Sequence, residues 1–350
     1  MRYSIPTKNQ SGIVSIMVTI IIMFVVSLIV LGFARVVRRE QRQALDRQLN
    51  TQAFYAAEAG VNYAVQEIKD AGPTAILADK EDCEPGGDFP GAGGNYDVDA
   101  ANNVEFTCLL VDPSPPSLKY DNIGTDKSQI IPIRSADGSN IQSVTFSWED
   151  TDDTTGGVVG CPSSPSFPKA TSGFSTCGAG ILRVDLVPTE GTFTRQDLID
   201  NNMTAFFYPN DGGGTLAYGS AAGFSNQGAV QTANCTVGGL RLCSIRVNGL
   251  NAKSYLIRVK SIYKANALTI TATTSAPGST NEIIGTQAIV DSTGKAGDVL
   301  RRIQVRVPTT NLSDDLFPEF ALQSQETICK RFSSAAGLTP IFDSASGCSP

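Results

Sequence analysis

The run Ile13–Ala34, IVSIMVTIIIMFVVSLIVLGFA, holds 22 residues without a charge, between Lys8 and Arg35. Nothing else in the chain restricts its folding so strongly. As a helix rising ~1.5 Å per residue it spans roughly 33 Å, about one bilayer hydrocarbon core. It is apolar on every side, which does not suit a helix lying flat on a membrane. A secretory signal has an apolar region of only ~7–15 residues, followed by small residues for cleavage. Here the run is longer and ends in the basic sequence RVVRRE. One transmembrane helix over residues 13–34 is expected.

The helical pattern does not stop at Ala34. From Arg35 to Lys69 there is no Pro, and Gly60 is the one Gly. Leu45, Leu49, Ala53, Ala57, Val61, Val65 and Ile68 recur at spacings of three and four, a helical stripe. Gly72-Pro73 ends it. The spacing predicts a single helix over residues 13–69, ~85 Å long, of which the first third lies in lipid and the rest projects or packs. The charges are uneven. Residues 1–47 carry seven Lys/Arg against Glu40 and Asp46, a sum of +5, which leaves −12 for the remaining 303 residues. By the positive-inside rule the cluster Arg35–Arg47 belongs in the cytoplasm. The cysteines argue the opposite.

There are eight Cys, at 83, 108, 161, 177, 235, 243, 329 and 348, all beyond the helix and none in a CxxC pair. The chain has no His at all. Zinc sites want close thiolate pairs or imidazole partners, and neither exists. An even number of Cys in a loop-rich acidic region reads as disulfides in an oxidising compartment. Pairing neighbours gives Cys83–Cys108, Cys161–Cys177, Cys235–Cys243 and Cys329–Cys348 as the simplest candidates. The third is the strongest, because Thr236–Leu240 can turn a hairpin between its two sulfurs. Residues 35–350 are therefore expected outside the cytoplasm. The absence of His also removes Ser-His-Asp triads and imidazole acid–base chemistry. A net charge of −7 disfavours polyanion binding.

Beyond the helix, residues 70–103 read as a neck, with Gly72-Pro73, Glu84-Pro85-Gly86-Gly87 and Gly91-Ala92-Gly93-Gly94. A β-rich ectodomain is expected over 104–310 and an irregular segment over 311–350. β-Branched and aromatic runs bounded by Gly, Pro, Asn and Asp mark strands at 104–111, 129–134, 141–149, 181–187, 204–208, 240–247, 254–263, 268–274, 282–290 and 299–307. A short helix is expected at Thr194–Asn202. About ten short strands suggest a mainly antiparallel, disulfide-braced β-sandwich. The fold class is α+β, a long N-terminal helix followed by that ectodomain. Asp150–Phe174 and Pro209–Asn234 are long Gly/Ser-rich insertions, suited to binding or merely tolerated.

Few residue clusters suggest chemistry. Asp150 and Asp152, with Asp153, are spaced as calcium-binding oxygens are, but Thr155 and Cys161 stand where such a loop wants Gly and Glu. A solvated acidic turn is the simpler reading. No two acids are paired for glycoside hydrolysis. Asp211-Gly212-Gly213-Gly214 lacks the Lys-Ser/Thr of a phosphate-binding loop. Arg258, Lys260, Lys264, Arg301, Arg302 and Arg306 would form a basic face if their strands adjoined, but the acidity of the ectodomain opposes nucleic-acid binding. No catalytic residue, cofactor or metal is expected.

The stretch Gln10-Ser11-Gly12-Ile13-Val14, behind Arg2 and Lys8, resembles a type IV prepilin processing site. Asp46-Arg47-Gln48-Leu49 and Ala53-Phe54-Tyr55-Ala56-Ala57-Glu58-Ala59-Gly60 resemble the matching run of minor pilins of the PilX type. The resemblance covers residues 8–66. It implies that prepilin peptidase cuts after Gly12 and methylates Ile13. It implies that the helix serves first as a membrane anchor and then in a filament core, with Ala53, Ala56, Ala57 and Gly60 packing on neighbouring helices. The expected partners are other pilin subunits, the peptidase, the membrane and a surface or host-cell ligand. Met17 stands where most pilins carry Glu, and Ile13 where most begin with Phe. A helix without that carboxylate cannot neutralise a neighbour's ammonium in an apolar core, which favours a minor or tip subunit. An uncleaved, membrane-anchored adhesin and a secretion-system pseudopilin are the alternative readings.

Overall fold

The computed structural model describes residues 11–72, 75–91, 96–150, 179–190, 201–210, 214–218, 229–235, 242–275 and 282–309. Residues 194–200 of the expected helix, nearly all of the insertion Asp150–Phe174, half of the insertion Pro209–Asn234, and the segment 311–350 lie outside the described residues.

The first element is one helix, α1, Ser11–Ala71, 61 residues long. At ~1.5 Å per residue it measures about 90 Å. It closes at Gly72, which takes φ +92° and donates its N–H to Lys69 O at 3.2 Å. Gly tolerates this left-handed conformation, and the Pro that follows cannot continue a helix. Residues 14–48 are exposed throughout, and the second half of the helix is built into the protein.

Among the described residues fifteen strands follow: β1 Asp97–Asp99, β2 Val104–Asp112, β3 Ser117–Ile123, β4 Gln129–Ser135, β5 Ile141–Asp150, β6 Ile181–Pro188, β7 Met203–Asn210 and β8 Thr215–Ala217, then β9 Ala229–Cys235, β10 Cys243–Ala252, β11 Ser254–Ile262, β12 Asn266–Thr274, β13 Ile283–Ile284, β14 Gln287–Ala296 and β15 Val299–Pro308. They form two sheets. The smaller has the order β1-β2-β14-β15 and is antiparallel throughout. The larger has the order β13-β4-β11-β6-β7-β9-β10-β5-β12-β3, with β8 beside β10. It is antiparallel except where β7 meets β9 and β10 meets β8.

The large sheet wraps one apolar core. Phe146 and Trp148 on β5 face Phe207 on β7 across it, with ring centroids 5.5 and 6.2 Å apart. All three are fully buried. Trp148 is buried together with its polar edge, so its indole N–H needs a partner, and it donates to Gly180 O at 2.9 Å. β6 is buried on nearly its whole length because both its faces are covered. Its sequence, ILRVDLVP, is close to the unbroken apolar run that such a strand requires.

Within the single ectodomain expected over 104–310 the described strands form two sheet units. β2 pairs with β14, and the whole large sheet, β3 to β13, is inserted between them. The expected strand 282–290 is split for this reason. Ile283–Ile284 pairs with β4 in the large sheet, Gly285 turns at φ +82°, and the chain enters the small sheet at Gln287. Gln287 also ties the units together. Its side chain accepts from Lys119 N at 2.9 Å and donates to Lys119 O at 2.7 Å. Described residues of the neck expected over 70–103 pack on the small sheet. Lys80 pairs with Val111 through backbone bonds of 2.8 and 3.0 Å, and Phe89 and Tyr96 are buried beneath the helix.

Candidate assembly site on the long helix

Gly12 and Ile13, the expected processing residues, fall in the first turns of α1. The helix beyond them is long and apolar enough to cross a membrane, and nothing among the described residues covers that stretch. Its large side chains, from Val14 through Phe24 to Phe33, are among the most exposed apolar groups in the protein. An apolar rod of this length has no stable place in water, so it must be covered by lipid or by other chains.

Further along, the helix lies on the small sheet. Ala53, Ala56, Ala57 and Gly60, expected to pack on neighbouring helices, are buried against the chain's own strands. At Gly60 an added Cβ would meet Ser292 Oγ at 2.2 Å and Phe106 at 3.0 Å. Opposite, at Gly294 on β14, one would meet Ala53 O at 2.1 Å and Ala57 N at 2.3 Å. Backbone therefore lies almost directly on backbone. Small residues are needed on both sides for the approach, as in close helix packing generally. The small-residue run is thus occupied in the isolated chain, and its partner is the sheet. Gly294 was not singled out from the sequence. A Gly inside a strand is the one signal that pointed to it, because it marks close backbone approach.

Below this contact the interface widens. Val61, Ala64 and Ile68 pack on Phe106, Leu109, Val111, Ala288 and Val290. Tyr96 stacks on Phe106 at 4.4 Å and donates to Phe89 O at 3.0 Å. Burial, and secondarily Tyr63 nearby, pushes its phenol up to about 12. Tyr63 on the helix accepts from Gly91 N at 2.7 Å. The disulfide Cys83–Cys108 pins the segment before β1 to β2. At the other end Arg301 on β15 donates to Asn50 on the helix. On the outer side of the sheet Arg302 makes two bonds to the buried Asp291, at 2.7 and 2.5 Å. The opposite face of the helix stays bare at Phe54 and Tyr55.

The remaining candidates are dispersed. Cys235 and Cys243 stand opposite each other on β9 and β10 and are bonded. Cys161, Cys177, Cys329 and Cys348 lie outside the described residues. Asp150 is paired with Lys264 at 2.8 Å, and Asp152 and Asp153 lie outside the described residues. Arg258, Lys260 and Lys264 belong to the large-sheet unit, and Arg301, Arg302 and Arg306 to the small sheet, so the structure does not bring the six cations onto one sheet. No group of three acids or cysteines is arranged to hold a metal among the described residues. Where the two units meet, two carboxyl pKa values are raised, that of Asp112 by burial and then by Asp79 and Glu282, and that of Asp79 by burial and then by Glu282 and Glu81. A cleft of about 570 Å³ lies beside this junction, between Ile68, Leu77, Pro132, Ile284 and Tyr255. The Tyr255 hydroxyl there is already engaged by Asn251 N and Ala252 N.

Residues 11–62 match the family described as PilX N-terminal. No curated protein matches the chain. One solved structure does, described as the complete structure of manganese lipoxygenase of Gaeumannomyces graminis and partial structure of zonadhesin of Komagataella pastoris. It is 13% identical over 59% of this chain and 61% of that one, with a TM-score of 0.16, so the likeness carries no argument. The matched segment and the bare, membrane-length helix coincide, and the N-terminal region of this chain fits that of a PilX-type pilin.

Proposed function

We propose that the chain is a minor type IV pilus subunit placed at or near the filament tip. One observation carries the reading. A single unbroken helix is bare over its first residues and gripped by its own sheet over its last, and its residues 11–62 match the PilX N-terminal family. In this reading prepilin peptidase removes the leader after Gly12 and methylates Ile13. The bare part of the helix sits in the membrane until assembly and then among other subunits' helices. The small sheet holds the helix stiff, and the large sheet is carried outward to meet a surface or a partner cell. The protein is then a substrate of an enzyme and not an enzyme itself. Met17, in place of an acid, supports the tip position, where no subunit above needs its charge.

The test is a mass spectrum of the mature protein from sheared surface filaments. A start at methylated Ile13 is expected. An intact Met1 supports the uncleaved adhesin, and absence from sheared filaments despite cleavage supports the secretion pseudopilin.

A further inference from the structure

Between the apolar stretch and the sheet the helix carries a charge pattern that the sheet contact does not involve. Arg35, Arg38, Arg39 and Arg42 begin directly after Ala34. At 3.6 residues per turn all four fall within about 100° of the circumference. All four are exposed, and none has a hydrogen bond or ion pair with the rest of the chain. Glu40 lies on another side, and Asp46, on the same line, stands ~6 Å further out along the axis than Arg42. The stripe shares its azimuth with Leu49, Ala53 and Gly60, so it faces the same side as the sheet. The sheet unit meets the helix at Leu49 through Gly297, in the β14–β15 turn, whose built Cβ lies 3.6 Å from the Leu49 side chain.

We propose that this stripe docks on the phosphate groups of membrane lipids. The inference rests on the membrane-anchored stage of the reading above. Residues 13–34 use up the ~30 Å of hydrocarbon, so the next ~12 Å of helix lies at headgroup depth. There the lipid supplies a dense layer of phosphates. A guanidinium is planar and binds two phosphate oxygens through parallel N–H bonds, which Lys cannot do. Four clustered cations without a carboxylate between them on that face repel one another unless such anions are present. A neighbouring chain's acidic surface is the rival occupant. Lipid is favoured because the stripe starts one residue past the apolar run, where headgroups are in contact with no partner present. Because the stripe and the sheet share a face, docking fixes the rotation of the helix. It sets the side on which the β units overhang the bilayer, and extraction into a filament must break these contacts.

The experiment uses the full chain in vesicles of phosphatidylcholine, with and without phosphatidylglycerol, in phosphate-free buffer. Solid-state NMR reads dipolar dephasing of arginine Cζ by lipid phosphorus. Dephasing is expected in the native chain, stronger with the anionic lipid. It should fall to background when Arg35, Arg38, Arg39 and Arg42 are all changed to Gln, and persist in Arg47→Gln, on another side of the helix. Native chain that floats with the vesicles but shows only background dephasing overturns the docking and leaves the anchoring intact. Chain that fails to float overturns the anchoring and the docking with it. Cross-linking of the stripe to carboxylates of a second copy, without phosphorus contact, overturns it in favour of a protein partner.

Discussion

Gly294 has no side chain because the helix backbone occupies the space one would need. Its Cβ would sit 2.1 Å from Ala53 O, a distance that only a shift of the whole helix relieves. Gly294→Ala should therefore cost ~1–3 kcal/mol by overpacking. Denaturation of the full chain in detergent measures it, with Gly32→Ala as the control, since nothing lies within 4 Å of a Cβ there. Asp112 makes a second prediction. Burial, together with Asp79 and Glu282, lifts its carboxyl above the ordinary range. The folded chain thus holds that proton more tightly than the unfolded one. Stability from this group is present in acid and is lost as pH rises through the raised value. Asp112→Asn keeps an oxygen for Ser114 N, which the carboxylate accepts from at 3.0 Å. The variant should melt a few degrees higher than the native chain at neutral pH. The gap should close once the pH falls below about 4, where both chains are neutral at this position. Thermal melts across that range check it. Nothing in the sequence marked Asp112, because its shift comes first from burial and then from two acids, and the fold sets both.

At the scale of elements, the helix was the most legible part of the chain. An uncharged run, periodic apolar residues and Gly72-Pro73 are local signals, and they placed α1 within two residues at each end. Strands with β-branched alternation, such as β5, β11 and β15, were readable for the same reason. β3, SLKYDNI, was missed because it is an edge strand with charged residues on its wet side, and β9, AVQTANC, because Val230 is its one bulky aliphatic residue. The segment taken for a neck was missed as structure because its order comes from outside it. It is held by Cys108 and Val111 of β2 and by burial of Phe89 under the helix. Changing Cys83 and Cys108 together to Ser should cost ~2–4 kcal/mol, the usual value for opening a loop of this size. Limited proteolysis should then cut first between residues 75 and 91, leaving the helix docked.

At the scale of the whole molecule, the insertion between β2 and β14 makes a prediction of its own. The helix rests on the small sheet and does not need the large one for its docking face. Replacing residues 117–284 by a short linker should leave a chain that is still cleaved after Gly12 and still enters filaments, while any contact with a surface is lost. Mass spectrometry and filament shearing check the first two, and a binding assay on whole cells the third. Whatever depended on near neighbours was settled by the sequence alone: the membrane-length rod, its long continuation and the β-rich remainder, whereas Cys83–Cys108 and Cys235–Cys243 were the simplest candidate pairs until the structure bonded them. Only the tertiary structure decided which strands share a sheet and what covers the small residues of the helix. Thr107 bonds to Thr293 across 186 residues, and a pattern of alternating residues says which face of a strand is wet but not which strand lies beside it. Ala53, Ala56, Ala57 and Gly60 announced a close contact. Its partner was a strand at the far end of the chain, brought there by the fold, and local chemistry holds no record of that distance.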